Sequence, residues 1–260
     1  MEKSGHGAML EHGTVYLQMP LDKWYADIRI EETPGRTRVV MMRETNTAFV
    51  TTNYRVLVEN GCLDLLEYLC DTPGPMHELR VTARFNLQIA ISREYNRHRM
   101  NSVAEQSTRY CNYSKEKYNS EISVSLPSFL SKNGIAKNIA TINKHQDLRT
   151  FVDFISQNGF DEMKPIEWWL FANMACETAY MKLIECGWPA QYARTILPLD
   201  TNTVLVHTAF VSDWKHFFDL RSLGITGNPH PDAKYLSDNL LEMFIEKGYI
   251  KKDYINGSYQ

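Results

Sequence analysis

The sequence lacks a long hydrophobic run, a close pair of cysteines and a strong excess of one charge. Its most apolar long stretch, Trp168 to Cys176, is far shorter than the roughly 20 residues that a membrane span needs. The five cysteines form no CxxC pair, so we interpret them as reduced thiols. The net charge of -3 argues against a protein that coats nucleic acid. We therefore expect a cytoplasmic protein with neither a membrane nor a nucleic-acid partner.

Motifs for several common sites are also missing. Neither GxGxxG nor GxxxxGK[ST] occurs, which argues against a Rossmann or P-loop nucleotide site. The eight histidines are scattered, and His77-Glu78 has no second histidine at helical spacing. We predict no metal site and interpret His77 as a structural histidine.

The chain has 260 residues, 43% of them apolar, which suits a globular protein. Alternating apolar residues predict strands near Val15 and Leu17, over Trp24, Ala26, Ile28 and Ile30, over 39–42 after a Pro34-Gly35 turn, and over 81–85. A helix is predicted over 62–70. Asn86 is predicted to be the N-cap of a helix that follows the 81–85 strand and ends near Arg99.

The second half reads as mainly helical beyond Gly134. Apolar spacing with glycine and proline stop signals predicts helices over 147–157, 163–185, 189–197, 212–220 and 232–247, with a short strand over 204–207. Strands followed by helices indicate an α+β class, with a mixed or antiparallel sheet and a helical C-terminal half. We predict one domain over 1–260.

A cationic cluster lies between Arg93 and Arg109. On a continuous helix Arg93 and Arg97 would share a face, and Glu94 would reach Arg97 and His98. Guanidinium groups suit phosphates and the edges of planar heterocycles. A solvated basic face or an RNA-binding patch explains the same composition, so the cluster alone does not decide the function.

The motif Arg97-His98-Arg99, then seven residues, then Ser107, resembles the signature of the flavin-dependent thymidylate synthases. The resemblance continues through 107–115, through Arg194 with Leu197-Pro198, and through 210–221, and it covers roughly residues 35 to 240. The members of that family are homotetramers whose sites are shared between subunits. The resemblance thus implies FAD as cofactor, dUMP as substrate, and methylenetetrahydrofolate and NADPH as co-substrates.

The resemblance also implies a role for each matched position. Arg221 would be catalytic, at the uracil edge of dUMP. The implied FAD residues are Thr72, Arg97, His98, Arg99, Glu105 and His216. The implied dUMP residues are Glu94, Arg97, Glu105, Gln106, Ser107, Thr108, Arg109, Arg194 and Arg221.

Some positions depart from the commonest family pattern. Glu94 stands where many members have Gln, His216 where many have Asn, and Cys70 where a His is common; Phe210 replaces a polar flavin contact. Two alternatives therefore stay open: a flavin- and folate-dependent hydroxymethylase of pyrimidine nucleotides, and a non-enzymatic nucleic-acid-binding protein. A thymidylate synthase with a cysteine nucleophile is not indicated, because Cys111 and Cys186 lack a nucleophile context.

Overall fold

The computed structural model describes residues 7–27, 29–128 and 148–256. The strands are β1 (Thr14–Pro20), β2 (Arg38–Met42), β3 (Thr47–Asn53), β4 (Arg80–Gln88), β5 (Ser102–Glu105) and β6 (Asn202–Phe210). The α-helices are α1 (Gly7–Leu10), α2 (Leu21–Ala26), α3 (Tyr54–Glu59), α4 (Ile89–Tyr95), α5 (Leu148–Asn158), α6 (Pro165–Glu185), α7 (Ala190–Ala193), α8 (Val211–Arg221) and α9 (Pro231–Glu246). Short 3-10 helices lie at Leu63–Tyr68, Glu116–Tyr118, Phe160–Glu162, Arg194–Ile196 and Lys252–Asn256.

The chain divides into two compact units. The first unit comprises Met1–Phe85, Tyr95–Ala104 and Leu205–Gln260, and the second unit comprises Asn86–Glu94 and Glu105–Val204. That the whole of 1–260 acts as one domain stays a prediction.

The first unit contains a three-stranded antiparallel sheet with the order β1-β3-β2. Val50 on the central strand pairs with Leu17 on one side and Val39 on the other. Leu17 and Val50 are fully buried, as a half-buried strand requires of its inward positions. The predicted strands at Val15–Leu17 and 39–42 are confirmed.

The predicted strand through Trp24 and Ala26 is wrong, because residues 21–26 form helix α2. Leu21 and Trp24, three apart, are both buried on the inner face of that helix. Ile28 lies outside the described residues. The predicted helix over 62–70 is a 3-10 helix, Leu63–Tyr68.

A second sheet has the order β4-β6-β5. Within the first unit, the Val211 N–H donates to the Leu79 carbonyl, next to the ends of β6 and β4, as antiparallel pairing requires. β4 continues to Gln88, so Asn86 lies inside a strand and its prediction as an N-cap is wrong. The change from strand to helix occurs at Gln88–Ile89.

Aromatic side chains fill the core of the first unit beneath α8 and α9. Trp214, Phe217 and Phe218 of α8 are fully buried, and the Trp214 ring meets Phe244 of α9 edge-on at 5.5 Å between centroids. Both helices were predicted within one residue of their observed ends. This core anchors the face of α8 that carries the candidate site.

The second unit is mainly helical. Helix α6 begins at Pro165, not at the predicted Met163. The Lys164 N–H, just before the helix, donates to the Glu167 carboxylate in its first turn. It ends at Glu185, before Gly187 at φ +89°. Helix α5 matches the predicted 147–157, although residue 147 lies outside the described residues, as do Gly134 and its neighbours. Small antiparallel sheets and helices together confirm the α+β class.

The structure also bears on three expectations, which concern the cysteines, His77 and membrane-spanning helices. All five cysteines are free thiols. His77 is a buried structural histidine, with Nε2 at 2.9 Å from the Leu17 carbonyl. In residues 7–27, 29–128 and 148–256, no helix has the length and apolar character to cross a membrane.

Candidate active site

The segment after α4 folds into consecutive tight turns. The helix ends at Tyr95, whose hydroxyl donates to the Ala233 carbonyl at 2.7 Å. The His98 N–H then donates to the Tyr95 carbonyl at 3.1 Å, and the Asn101 N–H to the His98 carbonyl at 3.0 Å. The expectation that Arg93 and Arg97 share a helix face is therefore wrong, because the helix ends before Arg97. That Glu94 reaches Arg97 and His98 stays a prediction. The turns direct the His98 side chain inward.

These turns and one face of α8 enclose a cavity of about 220 Å³ in the first unit. The lining residues are Arg97, His98, Arg99, Met100, Asn101, Asp213, His216, Leu220 and Arg221. Five residues that the sequence predicted for the site are thus brought together: Arg97, His98, Arg99, His216 and Arg221. Guanidinium and imidazole groups dominate the polar lining, which suits an electron-rich or anionic ligand.

His98 and Arg221, which both line this cavity, are joined by a hydrogen bond. His98 is buried, with its ring 4.8 Å from the Phe217 ring, and Arg221 Nε donates to its Nε2 at 3.1 Å. Burial, then the charge of Arg221 and then that of His216, lower the pKa of His98 to about 4. The ring is therefore neutral at pH 7. Because Nε2 accepts, the proton of the neutral ring belongs on Nδ1.

Behind the cavity lies a second neutral histidine, for which no sequence pattern predicted a role. His207 is fully buried, and Asn101 Nδ2 lies 3.2 Å from its Nδ1. Burial, followed by the influence of His98 and His12, lowers its pKa to about 3. The Asn101–His207 contact ties the end of the turn to β6.

Asp213 is a further lining residue that sequence reasoning missed. A signal was available in the sequence. His216 and Leu220 follow Asp213 by three and seven positions, so these residues share a helix face with Arg221. Burial raises the pKa of Asp213, whereas the nearby Arg38 acts to lower it. A carboxylate thus faces a cavity that is otherwise rich in cations.

The loop 105–110 belongs to the second unit. The Gln106 N–H donates to the Val204 carbonyl at 2.8 Å, and the N–H groups of Tyr110 and Cys111 both lie 3.1 Å from the Ser107 carbonyl. The Ser107 hydroxyl also accepts from the Arg109 N–H at 3.3 Å. The loop is thereby held in a turn centred on Ser107.

Side chains of this loop point in different directions. Glu105 accepts a hydrogen bond from the Ser92 hydroxyl at 2.7 Å. Gln106 Nε2 lies 3.2 Å from the Cys111 thiol. Arg109 is exposed, with its guanidinium 5.5 Å from the Tyr110 ring centre.

A separate cavity of about 360 Å³ lies within the second unit. It is lined by Ile89, Arg93, Thr108, Arg194, Thr195, Leu197, Pro198 and Leu199. Arg194 Nη1 donates to the Thr108 hydroxyl at 3.2 Å, and both Arg93 and Arg194 are exposed. Two guanidinium groups beside a hydroxyl form a suitable binding site for a phosphate.

Six predicted residues are absent from both cavity linings: the loop residues Glu105, Gln106, Ser107 and Arg109, and also Thr72 and Glu94. Thr72 is exposed on a loop of the first unit, between the 3-10 helix at Leu63–Tyr68 and β4. Glu94 is half-buried in the last turn of α4. Within the described parts of the chain, no group of three potential metal ligands comes together.

Comparison with protein families gives an identification that agrees with this geometry. The profile of one family, described as thymidylate synthase complementing protein, matches residues 34–247. The chain belongs to this family, the flavin-dependent thymidylate synthases. The match covers both cavity linings and agrees with the resemblance seen over roughly residues 35 to 240. None of the curated proteins compared with the chain matches it.

Proposed function

We propose that the chain is an FAD-dependent thymidylate synthase that converts dUMP to dTMP. Methylenetetrahydrofolate would donate the one-carbon unit and NADPH would be the reductant. Family membership supports the thymidylate synthase activity. The observation that carries the flavin proposal is the 220 Å³ cavity, where Arg97, His98, Arg99, His216 and Arg221 meet.

The residues around this cavity fit a flavin. Arg97, Arg99 and Arg221 offer guanidinium donors for ring carbonyls and phosphates, and the buried Asp213 Oδ2, which bonds to no described residue, offers an acceptor. When bound, the flavin supplies the electron transfer and one-carbon relay chemistry. The protein then has to bind, orient and polarise the reactants.

Arg221 is the proposed catalytic residue. Its Nε donates to the neutral imidazole of His98, which fixes the guanidinium at this contact. A guanidinium fixed in this way can stabilise negative charge that develops on a pyrimidine ring without reorganising during the reaction. His98 therefore positions Arg221.

The second unit supplies the proposed phosphate contacts. Arg194 and Thr108, already joined by a hydrogen bond, would bind the dUMP phosphate, with Arg93 adding a second positive charge. Glu105, Gln106, Ser107 and Arg109 would complete the nucleotide loop. Only the family resemblance supports Glu94 as a dUMP residue and Thr72 as an FAD residue.

The remaining proposals follow from the family. We propose that residues 1–260 form one functional domain with the family fold, acting as a homotetramer in the cytoplasm. Light scattering on the purified protein measures the assembly directly. A mass of four chains supports the tetramer, and a monomer at working concentrations contradicts it.

One experiment tests the central proposal. The visible absorption spectrum is recorded after incubation with FAD, before and after dUMP is added; all substrates are then supplied and the nucleotide product is identified by mass spectrometry. Flavin bands that shift with dUMP, followed by dTMP, support the proposal. A hydroxymethylated product would favour the hydroxymethylase instead. A protein that takes up no FAD would contradict the flavin site.

A further inference from the structure

Asp213 occupies an unusual position in the cavity of the first unit. It lies in the first turn of α8, its side chain is 11% exposed, and it lines the cavity with Arg97 and Arg221. Its Oδ2 atom is buried and has no hydrogen-bond partner among the described residues. A buried carboxylate oxygen without a partner has lost its hydrogen bonds to water, and no protein hydrogen bond offsets the desolvation cost.

The neighbouring charges do not satisfy this oxygen. Arg38 approaches the other one, with Nη2 at 3.9 Å from Oδ1, while Arg38 Nε lies 3.4 Å from Glu78 Oε2. Arg38 is therefore shared between two carboxylates. Glu78, Arg80 and His216 also act electrostatically on Asp213. The Oδ2 atom thus retains its full capacity to accept a hydrogen bond.

The chemistry of the cavity indicates what would donate that bond. Guanidinium groups of Arg97, Arg99 and Arg221 can only donate, so they suit carbonyl oxygens. Asp213 adds an acceptor on the same lining. Donors combined with an acceptor match a cyclic imide, in which one N–H lies between two carbonyls. Flavin and uracil rings both carry this edge.

We propose that Asp213 is a ligand-binding residue: a small rotation of its carboxylate turns Oδ2 toward the cavity, where it accepts a hydrogen bond from the imide N–H of the bound ring. The inference rests on the proposed function and deepens it, because it identifies the recognised edge of the ring. A charge-assisted bond of this kind is among the stronger hydrogen bonds in proteins. It would also fix the ring in one orientation relative to Arg221.

A ligand that lacks only the imide hydrogen tests this directly. FAD and N3-methyl-FAD are titrated separately into flavin-free protein, and binding is followed by quenching of flavin fluorescence. The wild-type protein should bind FAD at least about 10-fold more tightly than the methylated form. In Asp213→Ala the acceptor is gone, so the preference should fall to about 2-fold or less.

Two further variants make the result specific. Asp213→Asn keeps an oxygen acceptor without the charge, so an intermediate preference of about 3-fold is expected; it also replaces the alanine variant if that does not fold. Glu242→Ala removes an exposed carboxylate from α9 and should keep the wild-type preference. Melting temperatures of all variants show whether the fold is retained.

The same titrations with dUMP and N3-methyl-dUMP distinguish the two sources of the imide. A preference that depends on Asp213 for flavin supports recognition of the flavin ring, and one seen for dUMP alone supports recognition of the nucleotide base. If the wild type binds FAD and dUMP but discriminates against neither methylated form, or if Asp213→Ala keeps the full preference, the inference is wrong and the proposed function stands. If the wild type binds neither ligand, both fail.

Discussion

Arg221 and His98 are joined by one hydrogen bond, in which the guanidinium Nε donates to the imidazole Nε2 at 3.1 Å. The bond requires a neutral ring, and burial together with the neighbouring cations provides one by lowering the pKa of His98 to about 4. The two residues come from segments more than 100 positions apart in the chain. Their contact links the turn after α4 to the end of α8 and sets the direction of the Arg221 charge.

Replacing Arg221 by alanine should impair turnover far more than binding. We expect kcat to fall by about 100-fold or more, because a fixed charge that stabilises the transition state is lost, while the KM for dUMP changes little. The pKa of His98, followed by NMR, should rise, since the Arg221 charge helps to lower it. The control is Lys215→Ala, which removes an exposed cation from the same helix. A near-normal kcat in Arg221→Ala would exclude the catalytic role.

The stability of the fold should decrease in acid because of the buried histidines. The pKa values of His98 and His207 in the folded protein are about 4 and about 3, below the ordinary value of 6.5. Between pH 6.5 and these lowered pKa values, the two histidines bind protons in the unfolded chain but not in the folded chain. The stabilising contribution is therefore complete above pH 6.5 and is lost as the pH falls, by up to about 2–3 kcal/mol per histidine near pH 4.5.

Urea unfolding at several pH values measures this loss. His207→Gln keeps an acceptor for Asn101 but cannot take up a proton, so its stability should fall less steeply below pH 6.5. His230→Asn is the matched control: that side chain is 45% exposed and caps α9, a role that Asn also fills. Its pH dependence should follow the wild type. Equal slopes for wild type and His207→Gln would show that His207 is not buried as a neutral ring.

The sequence predicted best those elements whose limits are set by nearby residues. Helices α6 and α9 end just before Gly187 and Gly248, which both have positive φ angles. The end of β4 was missed because it depends on distant partners: the Ile89 N–H donates to the carbonyl of Thr201, 112 positions later. The strand predicted through Trp24 and Ala26 failed for another reason, since a short apolar pattern fits a strand and a helix almost equally well.

The candidate site shows the same limit. The order of the motifs identified Arg97, His98, Arg99, His216 and Arg221, and the structure places these five around one cavity. Asp213 was not singled out, although it lies between two matched positions. Its importance comes from burial and from an oxygen that bonds to no described residue, and neither property is visible in a sequence.

Gly35 should be intolerant of any side chain. It has φ +73°, and a Cβ atom there would lie 2.5 Å from the carbonyl oxygen of Met100, within the turn that carries Arg97 to Arg99. Gly35→Ala should therefore cost the backbone strain of about 1–2 kcal/mol and a further ~1–3 kcal/mol for the clash. FAD affinity should fall as well, because the turn must shift.

Gly61 provides the matched control for this substitution. Its φ of +63° imposes similar backbone strain, but a Cβ there meets no heavy atom of the described residues within 4 Å. Thermal melts and FAD titrations of Gly35→Ala and Gly61→Ala separate strain from clash. If both variants lose equal stability and neither loses FAD affinity, the contact with Met100 does not hold the turn in place.

Removing the Arg194 guanidinium should weaken binding of the nucleotide phosphate specifically. Arg194 Nη1 and the Thr108 hydroxyl lie 3.2 Å apart beside Arg93, so they can bind one anion together. A lost charge-assisted hydrogen bond corresponds to about 10-fold or more in affinity. Calorimetric titration should therefore show that Arg194→Ala binds dUMP about 10-fold more weakly.

Deoxyuridine, which has no phosphate, should lose no more than about 2-fold in affinity for Arg194→Ala. Lys182→Ala, which removes an exposed cation from α6, should bind both as the wild type does. Equal losses for dUMP and deoxyuridine would mean that Arg194 supports the shape of the pocket rather than the phosphate, and the phosphate contact would then have to be sought at Arg109 and Ser107.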